Sequence, residues 1–349
     1  MALLEEHVSL RPFNTFGLEA EARYFARFGS VAELQALLAL PLVQAGPLLV
    51  LGGGSNLLLT QDFGGVVLKN EIRGLEIVEE DAATYAALLR AGAGESWHGL
   101  VEYALGQQLH GLENLSLIPG TVGAAPLQNI GAYGVELQDA FERLEALEIA
   151  SGQLRVFGKD ECGFGYRESV FKRALRGRYI VTAVVLRLHR AAARRPLNVS
   201  YGAIRDTLTD LGVDAEPTPR DVSRAVVHIR RSKLPDPAEI GNAGSFFKNP
   251  EISQGKFDQL QAAYPTLPGY PVPGGVKVPA GWLIEQAGFK GLRRGEGLGG
   301  THGVHEHQAL VLVNHGGATG AELRALADDI IRSVREQFGI ELHPEVNIL

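Results

Sequence analysis

The chain has 349 residues, of which 45% are hydrophobic and 21% are charged, which is the balance of a globular protein. Because one domain usually takes roughly 100–200 residues, two or three domains are expected. The formal net charge of -7 argues against a nucleic-acid-binding protein, since phosphate binding relies on clustered lysine and arginine, but a local basic pocket can still hold an anionic ligand.

Cysteine content and hydropathy indicate a soluble protein in a reducing compartment. Cys162 is the single cysteine, so no disulfide can form within the chain. Residues 1–12 lack the long apolar core of a signal peptide. No apolar run reaches the ~20 residues that a membrane-spanning helix needs. We therefore expect a cytoplasmic protein without membrane insertion.

The first third of the chain alternates predicted strands and helices, which is typical of a mixed α and β protein. A helix over 30–40 begins with the capping pattern of Ser30 and Glu33. The apolar runs and the glycines beside them predict strands at 48–51, 66–68 and 84–90, and a second helix at 96–105.

The strand at 48–51 leads into a glycine turn made of Gly52, Gly53, Gly54, Ser55 and Asn56. Successive backbone N–H groups in such a turn can bind an anion such as a pyrophosphate. The turn departs from the dinucleotide-binding fingerprint, because Leu57 stands where the third glycine would be. On this segment alone, a plain structural turn is the commoner outcome.

The stretch from Ile118 to Gly134 is rich in glycine and has no clean periodicity. A long irregular segment inside a compact domain is usually a functional loop. Its glycines would let backbone amides approach a flat ring or a diphosphate, and Gln128 and Asn129 add side-chain donors and acceptors. The alternative is a surface loop without a ligand.

Predicted elements continue along the rest of the chain. A strand at 180–188 is followed by a surface connection over 189–197. A helix begins at Thr218 and stops before Pro235, and shorter elements follow, a helix at 279–287 and a strand at 309–313. A capping box at Thr319 and Glu322 begins a final amphipathic helix that Gly339 closes.

Three polar side chains in the later segments are candidates for chemistry. Arg167 in GYRESVFK could clamp a carboxylate or pair with Glu168 at the surface. Ser245 in NAGSFFKNP could donate a proton or satisfy a turn, and no GxSxG elbow surrounds it. Glu345 in LHPEV is either placed by the fold or exposed by fraying, and the segment alone leaves both open.

Two other features are interpreted as structural. Four histidines near the end of the chain match no standard zinc spacing, so no metal is expected at His302, His305, His307 and His315. Cys162 has no adjacent base, which favours an unreactive buried or half-buried thiol.

The order of these motifs resembles the UDP-N-acetylenolpyruvoylglucosamine reductase family nearly from end to end. The resemblance is carried by NTFG at 14–17, GGGSN at 52–56, PLQNIGAYGVEL, FGYRESVFK, KLPDP, GNAGSFFKNP, AGWLIEQAGFKG and LHPEV. The segment VSYGAIRD supplies Tyr201 where the longer form of the family carries a substrate-side tyrosine in an extra loop.

The resemblance implies an α+β protein. A two-part FAD-binding domain of the PCMH or vanillyl-alcohol-oxidase-like fold would be joined to a smaller α+β substrate-binding domain. The implied divisions are 1–66, to which 340–349 would return, 67–225 including the Tyr201 loop, and 226–339.

The implied activity is a two-step hydride transfer. NADPH would reduce non-covalently bound FAD, which would reduce the enolpyruvyl group of UDP-N-acetylglucosamine enolpyruvate to UDP-N-acetylmuramate, a peptidoglycan precursor. The substrate would be this UDP-linked sugar, and a monomer is favoured. The alternatives are an FAD-dependent sugar or alcohol oxidase on the same fold and, ranked last, a nonenzymatic nucleotide-sugar-binding protein.

Match to the family's motifs also implies residue roles. Arg167 would stabilise an enolate-like intermediate, Glu345 would assist from the opposite side, and Ser245 would deliver the proton. The substrate-side positions would be Tyr201, Lys233, Asn249 and Gln286. The flavin would contact the glycine turn and the later loop, at Gly52, Gly53, Gly54, Ser55, Asn56, Pro119, Gly120, Thr121, Gly123, Ala124, Gln128, Asn129, Gly131, Ala132, Tyr133 and Gly134.

The chain departs from the family's pattern in two places. Ala124 and Ala125 stand where many relatives have small hydroxyl residues, which removes possible hydroxyl contacts to the flavin. The connection from Arg293 to His307 is longer than usual.

Overall fold

The computed structural model describes residues 4–193, 195–213, 215–297 and 299–349. Contacts group these residues into two compact units. Unit 1 contains the described residues up to Val8, Ala22–Gly53 and Gly64–Ser232, and unit 2 contains Ser9–Glu21, Gly54–Phe63 and Lys233–Leu349. The three-part division expected from the resemblance stays a prediction.

Helices occur in both units. The α-helices are α1 (Val31–Leu38), α2 (Pro41–Gln44), α3 (Trp97–Gly106), α4 (Leu137–Ala140), α5 (Lys159–Cys162), α6 (Ile204–Asp210), α7 (Pro219–Lys233), α8 (Gln254–Ala263), α9 (Ala280–Gln286) and α10 (Gly320–Phe338). Shorter 3-10 helices lie at Arg11–Phe13, Glu113–Leu115, Val122–Gln128, Val170–Lys172 and Ala191–Ala193. None of these helices is long and apolar enough to cross a membrane, within the part of the chain that the structure describes.

The strands are mostly short. They are β1 (Glu5–Ser9), β2 (Glu21–Phe28), β3 (Leu48–Leu51), β4 (Leu57–Leu58), β5 (Phe63–Asn70), β6 (Leu75–Asp81), β7 (Ala86–Gly92), β8 (Leu109–His110), β9 (Gly131–Ala132), β10 (Val135–Glu136), β11 (Phe141–Glu148), β12 (Leu154–Gly158), β13 (Tyr179–Arg190), β14 (Gly241–Ser245), β15 (Glu251–Ile252), β16 (Tyr270–Val272), β17 (Gly275–Lys277), β18 (Arg293–Arg294), β19 (His302–Val304), β20 (Val311–Asn314) and β21 (Asn347–Ile348).

Unit 1 is built around an antiparallel sheet of order β12-β11-β13-β7-β6, with β8 also paired to β13. The central strand β13 is long because its β-branched run, Ile180–Leu186, is buried throughout. Helix α3 packs its apolar side, including Trp97 and Leu100, into the same core as this sheet. The sheet and α3 therefore support the loops on either side of Trp97.

A second sheet of unit 1, of order β1-β2-β5-β3, carries the glycine turn at the end of β3. Strands β3 and β5 are parallel, and α1 packs its leucines, Leu34, Leu37 and Leu38, into a core with Val66 and Leu68 of β5. Helices α6 and α7 form a further small core, which Tyr133 contacts.

Unit 2 has a sheet of order β14-β20-β19-β18 packed with helix α10. The helix begins with the Thr319–Glu322 capping box and ends at Gly339, which adopts φ 62. Its apolar side chains recur at helical spacing and are buried, at Leu323, Leu326, Ile330, Val334 and Phe338. The end of the chain, β21, pairs in parallel with β4.

The predicted helices and strands are confirmed in type, with boundaries shifted by at most three residues, and the α+β class is confirmed. The predicted surface connection over 189–197 is wrong at its start. Strand β13 continues through Arg190, and His189 is buried because it pairs with Ala86 and with His110. Residue 194 of that connection, and residue 298 of the long segment from Arg293, lie outside the described residues.

Candidate functional site

The glycine turn after β3 lies against the second glycine-rich loop within unit 1. A Cβ atom on Gly53 would come 2.9 Å from the Cα of Gly120. A Cβ atom on Gly52 would overlap Oγ1 of Thr121. Only glycine at 52 and 53 therefore allows these two segments to approach each other.

Lys69 places a positive charge next to this turn. It pairs with Leu51 in the β3–β5 ladder, and its Nζ donates a hydrogen bond to the carbonyl of Gly52. Burial lowers the pKa of Lys69, and the Glu71 carboxylate opposes that shift. No sequence motif singled out Lys69. The only signal in the sequence was the position of Lys69 directly after the apolar run Val66–Leu68 of β5, the strand that pairs with β3.

The second half of the turn, from Gly54 to Asn56, belongs to unit 2. Gly54 adopts φ +62 and packs against the backbone of Phe13, so another residue there would be strained and crowded. The Thr15 amide donates to the Gly54 carbonyl at 3.1 Å. Asn56 donates from Nδ2 to the carbonyl of Glu345 at 3.3 Å, which ties the turn to the C-terminal segment of unit 2.

The loop over 118–134 is more regular than its sequence indicates, since it contains a 3-10 helix at Val122–Gln128 and the β9–β10 hairpin. Asn129 is fully buried in a left-handed conformation with φ 43. Its Oδ1 accepts from the Gln138 amide, and its Nδ2 donates to Glu136 at 2.8 Å and to the Gly165 carbonyl at 3.1 Å. These contacts shape the loop, and a flavin contact by Asn129 stays a prediction.

Small residues suit other positions of this loop. The Gly123 amide donates to the Ala93 carbonyl at 2.8 Å, and a Cβ atom on Gly123 would lie 2.6 Å from that of Ala93. Ala125 is buried in the core of unit 1, whereas Ala124 is exposed. A hydroxyl group at 125 would need its own hydrogen-bond partner in that core, so an alanine is well placed there.

Arg167 is brought to the 118–134 loop. Its Nη2 donates to the carbonyl of Gly131 at 2.8 Å, and its backbone adopts a left-handed φ of 55. The adjacent Glu168 pairs with Arg173 at 3.0 Å. Lys172 donates to Oε1 of Gln128 at 3.3 Å. The two predicted motifs, 118–134 and 165–172, therefore meet within unit 1.

Tyr201 lies next to Tyr133 and Gly134 in unit 1. The Tyr133 and Tyr201 rings are perpendicular with centroids 6.3 Å apart, and Tyr201 is 52% exposed. Asn198 donates to the Gly134 carbonyl at 3.1 Å, so the Tyr201 segment is fixed against this loop. Burial raises the pKa of the Tyr133 hydroxyl.

Arg230 is a further basic residue near Tyr133 and Arg167 that no sequence motif singled out. It lies on α7, and its Nε donates to the Leu117 carbonyl at 3.1 Å. Burial lowers the pKa of Arg230; the nearby Tyr133 opposes that shift and the charge of Arg167 adds to it. The signal that could have identified Arg230 is its position three residues before Lys233, because residues spaced by three lie on the same side of a helix.

In unit 2, the fold brings Ser245 and Glu345 to neighbouring backbone positions. Ser245 ends β14 after a register shift, and it is exposed while Phe246 and Phe247 are buried. The Glu345 amide donates to the Phe246 carbonyl at 2.8 Å, and Phe247 pairs with Pro344. The predicted proton donor and the predicted carboxylate therefore lie on paired segments.

Thr15 of the NTFG motif supports the strand that carries Ser245. Its Oγ1 donates to the Asn242 carbonyl at 2.6 Å, and the Asn242 amide donates to the Thr15 carbonyl at 3.0 Å. The Asn242 side chain then accepts from the Gly244 amide at 2.9 Å. The motif was recognised in the sequence, but this supporting role was not.

The predicted substrate-side residues of unit 2 are polar and accessible. Asn249 is half-buried and accepts at Oδ1 from the Ala280 amide at 2.9 Å, at the beginning of α9. Gln286 is exposed at the other end of α9, and Lys233 is exposed at the end of α7. Asn249 and Gln286 are therefore linked through one short helix.

The residues interpreted as structural have no reactive setting. Cys162 is buried, and burial raises the pKa of its thiol to about 12, so the thiol interpretation is confirmed. The His305 and His307 rings are 5.5 Å apart, and Oγ1 of Thr301 lies 3.1 Å from Nδ1 of His302. Among the described residues, no group of three or more His, Cys, Asp or Glu could hold a metal ion.

Comparison with known proteins identifies the family. The profile described as "UDP-N-acetylenolpyruvoylglucosamine reductase, C-terminal domain" matches residues 236–349, and the one described as "FAD binding domain" matches 22–158. A UDP-N-acetylenolpyruvoylglucosamine reductase of Chromobacterium violaceum is 53% identical over 98% of each chain. The chain belongs to the UDP-N-acetylenolpyruvoylglucosamine reductase family. The resemblance found in the motifs is thereby confirmed.

Other reductases of this family agree. The one of Pseudomonas aeruginosa is 52% identical over 99% of this chain and 98% of its own length. The crystal structure of the reductase from Thermus caldophilus superposes with a TM-score of 0.66 at 25% identity, and covers 100% of this chain and 99% of that one. These matches confirm the predicted FAD cofactor and the predicted fold class.

The residues of unit 1 fit this cofactor. The close approach of Gly52 and Gly53 to Gly120 and Thr121 brings two backbone turns together with Thr121 as the one side chain of these four residues, and Lys69 adds a positive charge beside them. Backbone amides together with a nearby ammonium group are suited to a diphosphate.

Proposed function

We propose that the protein reduces the enolpyruvyl group of UDP-N-acetylglucosamine enolpyruvate to give UDP-N-acetylmuramate, with NADPH as the reductant. Bound FAD supplies the hydride-transfer chemistry. The observation that carries the proposal is the pairing of the Ser245 and Glu345 segments, because a reduction of a carbon–carbon double bond needs a proton donor and an oxidase on this fold does not.

The reaction sets two electrostatic demands. A hydride bonds to the terminal carbon of the enolpyruvyl group, and the electrons of the double bond move toward the substrate carboxylate. The other carbon then takes a proton. The hydride originates from NADPH, which is oxidised to NADP⁺ in the preceding half-reaction, when it would reduce the bound FAD. The site must therefore stabilise developing negative charge and hold an acid on the correct side of the double bond.

Arg167 is suited to the first demand. Its guanidinium is a planar group of donors that matches a carboxylate in two-point geometry. The hydrogen bond from Nη2 to the Gly131 carbonyl fixes one edge of this group. The left-handed backbone of Arg167 costs conformational energy, and such strain clusters at functional sites.

Ser245 is proposed to deliver the proton, with Glu345, on the paired backbone segment, assisting. Gly244, with φ +68, and the register shift of β14 turn Ser245 away from the buried phenylalanines that follow it. Ser245 is exposed, whereas its backbone is held by pairing with Val311 of β20. A fixed hydroxyl group at an accessible position is what proton donation requires.

The diphosphate and the sugar of the substrate are assigned to Tyr201, Lys233, Asn249 and Gln286. Lys233 offers an exposed ammonium group, and Tyr201 offers a half-exposed ring held by its contact with Tyr133. The cytoplasmic location and the monomeric state stay predictions.

Anaerobic stopped-flow measurement of the two half-reactions tests the proposal with Ser245→Ala. NADPH should bleach the flavin of the variant at the wild-type rate. Re-oxidation by the enolpyruvyl substrate should slow by ~100-fold or more, because the proton donor is lost. Ser151→Ala is the matched control, since Ser151 is an exposed turn residue that contacts Glu148.

Three results would contradict the proposal. Equal slowing of both half-reactions would exclude a proton-donating role for Ser245, and so would wild-type kinetics in both. Rapid bleaching of the wild-type flavin by a sugar alcohol without NADPH would favour the oxidase alternative. Membership of the reductase family supports the reductase.

A further inference from the structure

The segment from Leu115 to Val122 is attached at several points to the beginning of helix α3 and to the residues just before it. The Trp97 ring donates from Nε1 to the Leu115 carbonyl at 3.0 Å, and the Trp97 amide donates to the Gly120 carbonyl at 3.1 Å. The Val122 amide donates to the Glu95 carbonyl at 2.9 Å. This segment includes Pro119, Gly120 and Thr121, the first predicted flavin contacts of the 118–134 loop. The beginning of α3 therefore determines where the backbone groups of these residues lie.

Helix α7 holds the same segment from a second direction. The hydroxyl groups of Ser116 and Ser223 are 2.8 Å apart and buried. Arg230 donates from Nε to the Leu117 carbonyl at 3.1 Å. Leu117 is therefore a point at which contacts from both helices meet.

Leu117 adopts an unfavourable backbone conformation that these contacts must maintain. Its φ is 57, in the left-handed region that is unfavourable for a non-glycine residue. Its amide donates to Nδ1 of His98 at 3.1 Å, and its carbonyl accepts from Arg230. Two side chains thus hold the backbone of Leu117 immediately before the flavin loop.

The hydrogen bond to His98 exists in one protonation state of the imidazole. Nδ1 can accept from an amide only when the ring is neutral and carries its proton on Nε2. Burial lowers the pKa of His98; Arg231 and Arg230 also lower it, and Glu102 opposes them. Its place in the first turn of α3 disfavours a cation as well.

The other side chains around His98 belong to the cleft between α3 and α7. This cleft is lined by Glu102, Ser223, Arg224, His228 and Arg231. Apart from Glu102, the charged groups that face the imidazole are basic or can become so. The neutral imidazole is therefore favoured near neutral pH. Protonation of His98 at acid pH removes the acceptor for the Leu117 amide.

We propose that His98 is a positioning residue for FAD: through the Leu117 amide it holds the segment Pro119–Thr121 in the conformation that receives the cofactor. The inference rests on the proposed contact of that segment with the flavin. His98 acts on the cofactor through the backbone of Leu117. Loss of the acceptor, by substitution or by protonation, releases FAD.

The test is the release of FAD from the purified holoprotein on serial dilution, followed by flavin fluorescence between about pH 5 and pH 8. His98→Leu removes the acceptor. His98→Asn keeps an oxygen near the position of Nδ1 and does not titrate. Gly120→Ala tests the flavin contact of the segment separately, because Gly120 has φ 108 and a side chain there is strained.

For the wild type, the dissociation constant of FAD should be constant near neutral pH. It should rise only as the pH falls below the ordinary histidine range, because burial lowers the pKa of His98. For His98→Leu it should be raised about tenfold at neutral pH, since a partly buried amide loses its partner. For His98→Asn it should stay near the wild-type value with no acid dependence beyond that of the other groups. Circular dichroism checks that each variant is folded.

Wild-type affinity in His98→Leu, or an acid dependence in His98→Asn equal to that of the wild type, would overturn the inference. If His98→Leu does not fold, the comparison between the wild type and His98→Asn decides it. If Gly120→Ala weakens FAD binding and the His98 variants do not, only the role of His98 is wrong. If Gly120→Ala binds FAD normally, the proposed flavin contact itself fails.

Discussion

Replacing Thr15 with valine isolates the contact that joins the NTFG motif to the strand bearing Ser245. The two side chains have nearly the same shape, so the change removes the hydroxyl group and leaves no cavity. The main hydrogen bond that is lost runs from Oγ1 to the Asn242 carbonyl at 2.6 Å in a partly buried position. A longer contact from Oγ1 to the Gly54 carbonyl, at 3.4 Å, is lost with it. The backbone bond from the Asn242 amide to the Thr15 carbonyl can remain.

The expected cost is about 1–2 kcal/mol, the range for removing one partner of a buried hydrogen bond. Such a loss raises the equilibrium constant for opening about 5–30-fold. The effect should be concentrated at the amides of Asn242 and Gly244, because their acceptors are the Thr15 carbonyl and the Asn242 side chain. Proton delivery by Ser245 should also slow, since its strand loses a support.

Native-state hydrogen exchange read by mass spectrometry measures the effect where it arises. Peptides covering 240–250 should exchange about 5–30-fold faster in Thr15→Val than in the wild type. Peptides from β13 of unit 1 serve as the internal control and should be unchanged. Thr15→Ser keeps the hydroxyl group and should exchange like the wild type. The reasoning fails if Thr15→Val is protected normally, or if Thr15→Ser exchanges as fast as Thr15→Val.

Three further predictions concern unit 1. Gly53→Ala should weaken FAD binding about tenfold or more in a fluorescence titration, because its Cβ would lie 2.9 Å from Gly120 and the two turns would separate. Cys162 should resist a thiol reagent at pH 8 and react only in denaturant, since burial raises its pKa to about 12; rapid labelling of the native protein would contradict this. Glu145→Gln should destabilise the protein at pH 7 in urea unfolding, and the difference should shrink as the pH falls. The hydrogen bond from Arg90 lowers the pKa of Glu145, so the stability that this pair adds is fully present above the unfolded-state pKa and is lost as the pH falls through the lower folded-state pKa.

The local elements of this protein were predictable because their signals lie within a few residues. The capping box of Thr319 and Glu322, the apolar repeat that follows it and Gly339 together predict α10 with both ends. Short-range hydrogen bonds and helical periodicity decide these features, so neighbouring residues contain the information. The ordered motifs likewise identified the family, and with it the α+β class and the cofactor.

The end of β13 at His189 and Arg190 is a feature that the local sequence did not predict. The polar sequence after Leu188 indicates a surface connection, yet β13 continues because β7 and β8 supply partners for it. Pairing with other strands outweighed the local pattern, as it commonly does in sheets. The sequence likewise did not predict that the Asn129 side chain forms hydrogen bonds with Glu136, Gly165 and Gln138, which hold the conformation of its own loop.

The sequence by itself determined the helices and strands with strong local signals, such as α10, together with the family and the candidate side chains. Only the tertiary structure decided which groups meet: the segments of Ser245 and Glu345, Thr15 with Asn242, Lys69 with the glycine turn, and His98 with Leu117. Each of these contacts joins residues that are distant along the chain or on separate elements. No periodicity or spacing records such a contact, because it exists only after sheets and helices have packed and their backbone groups have found partners.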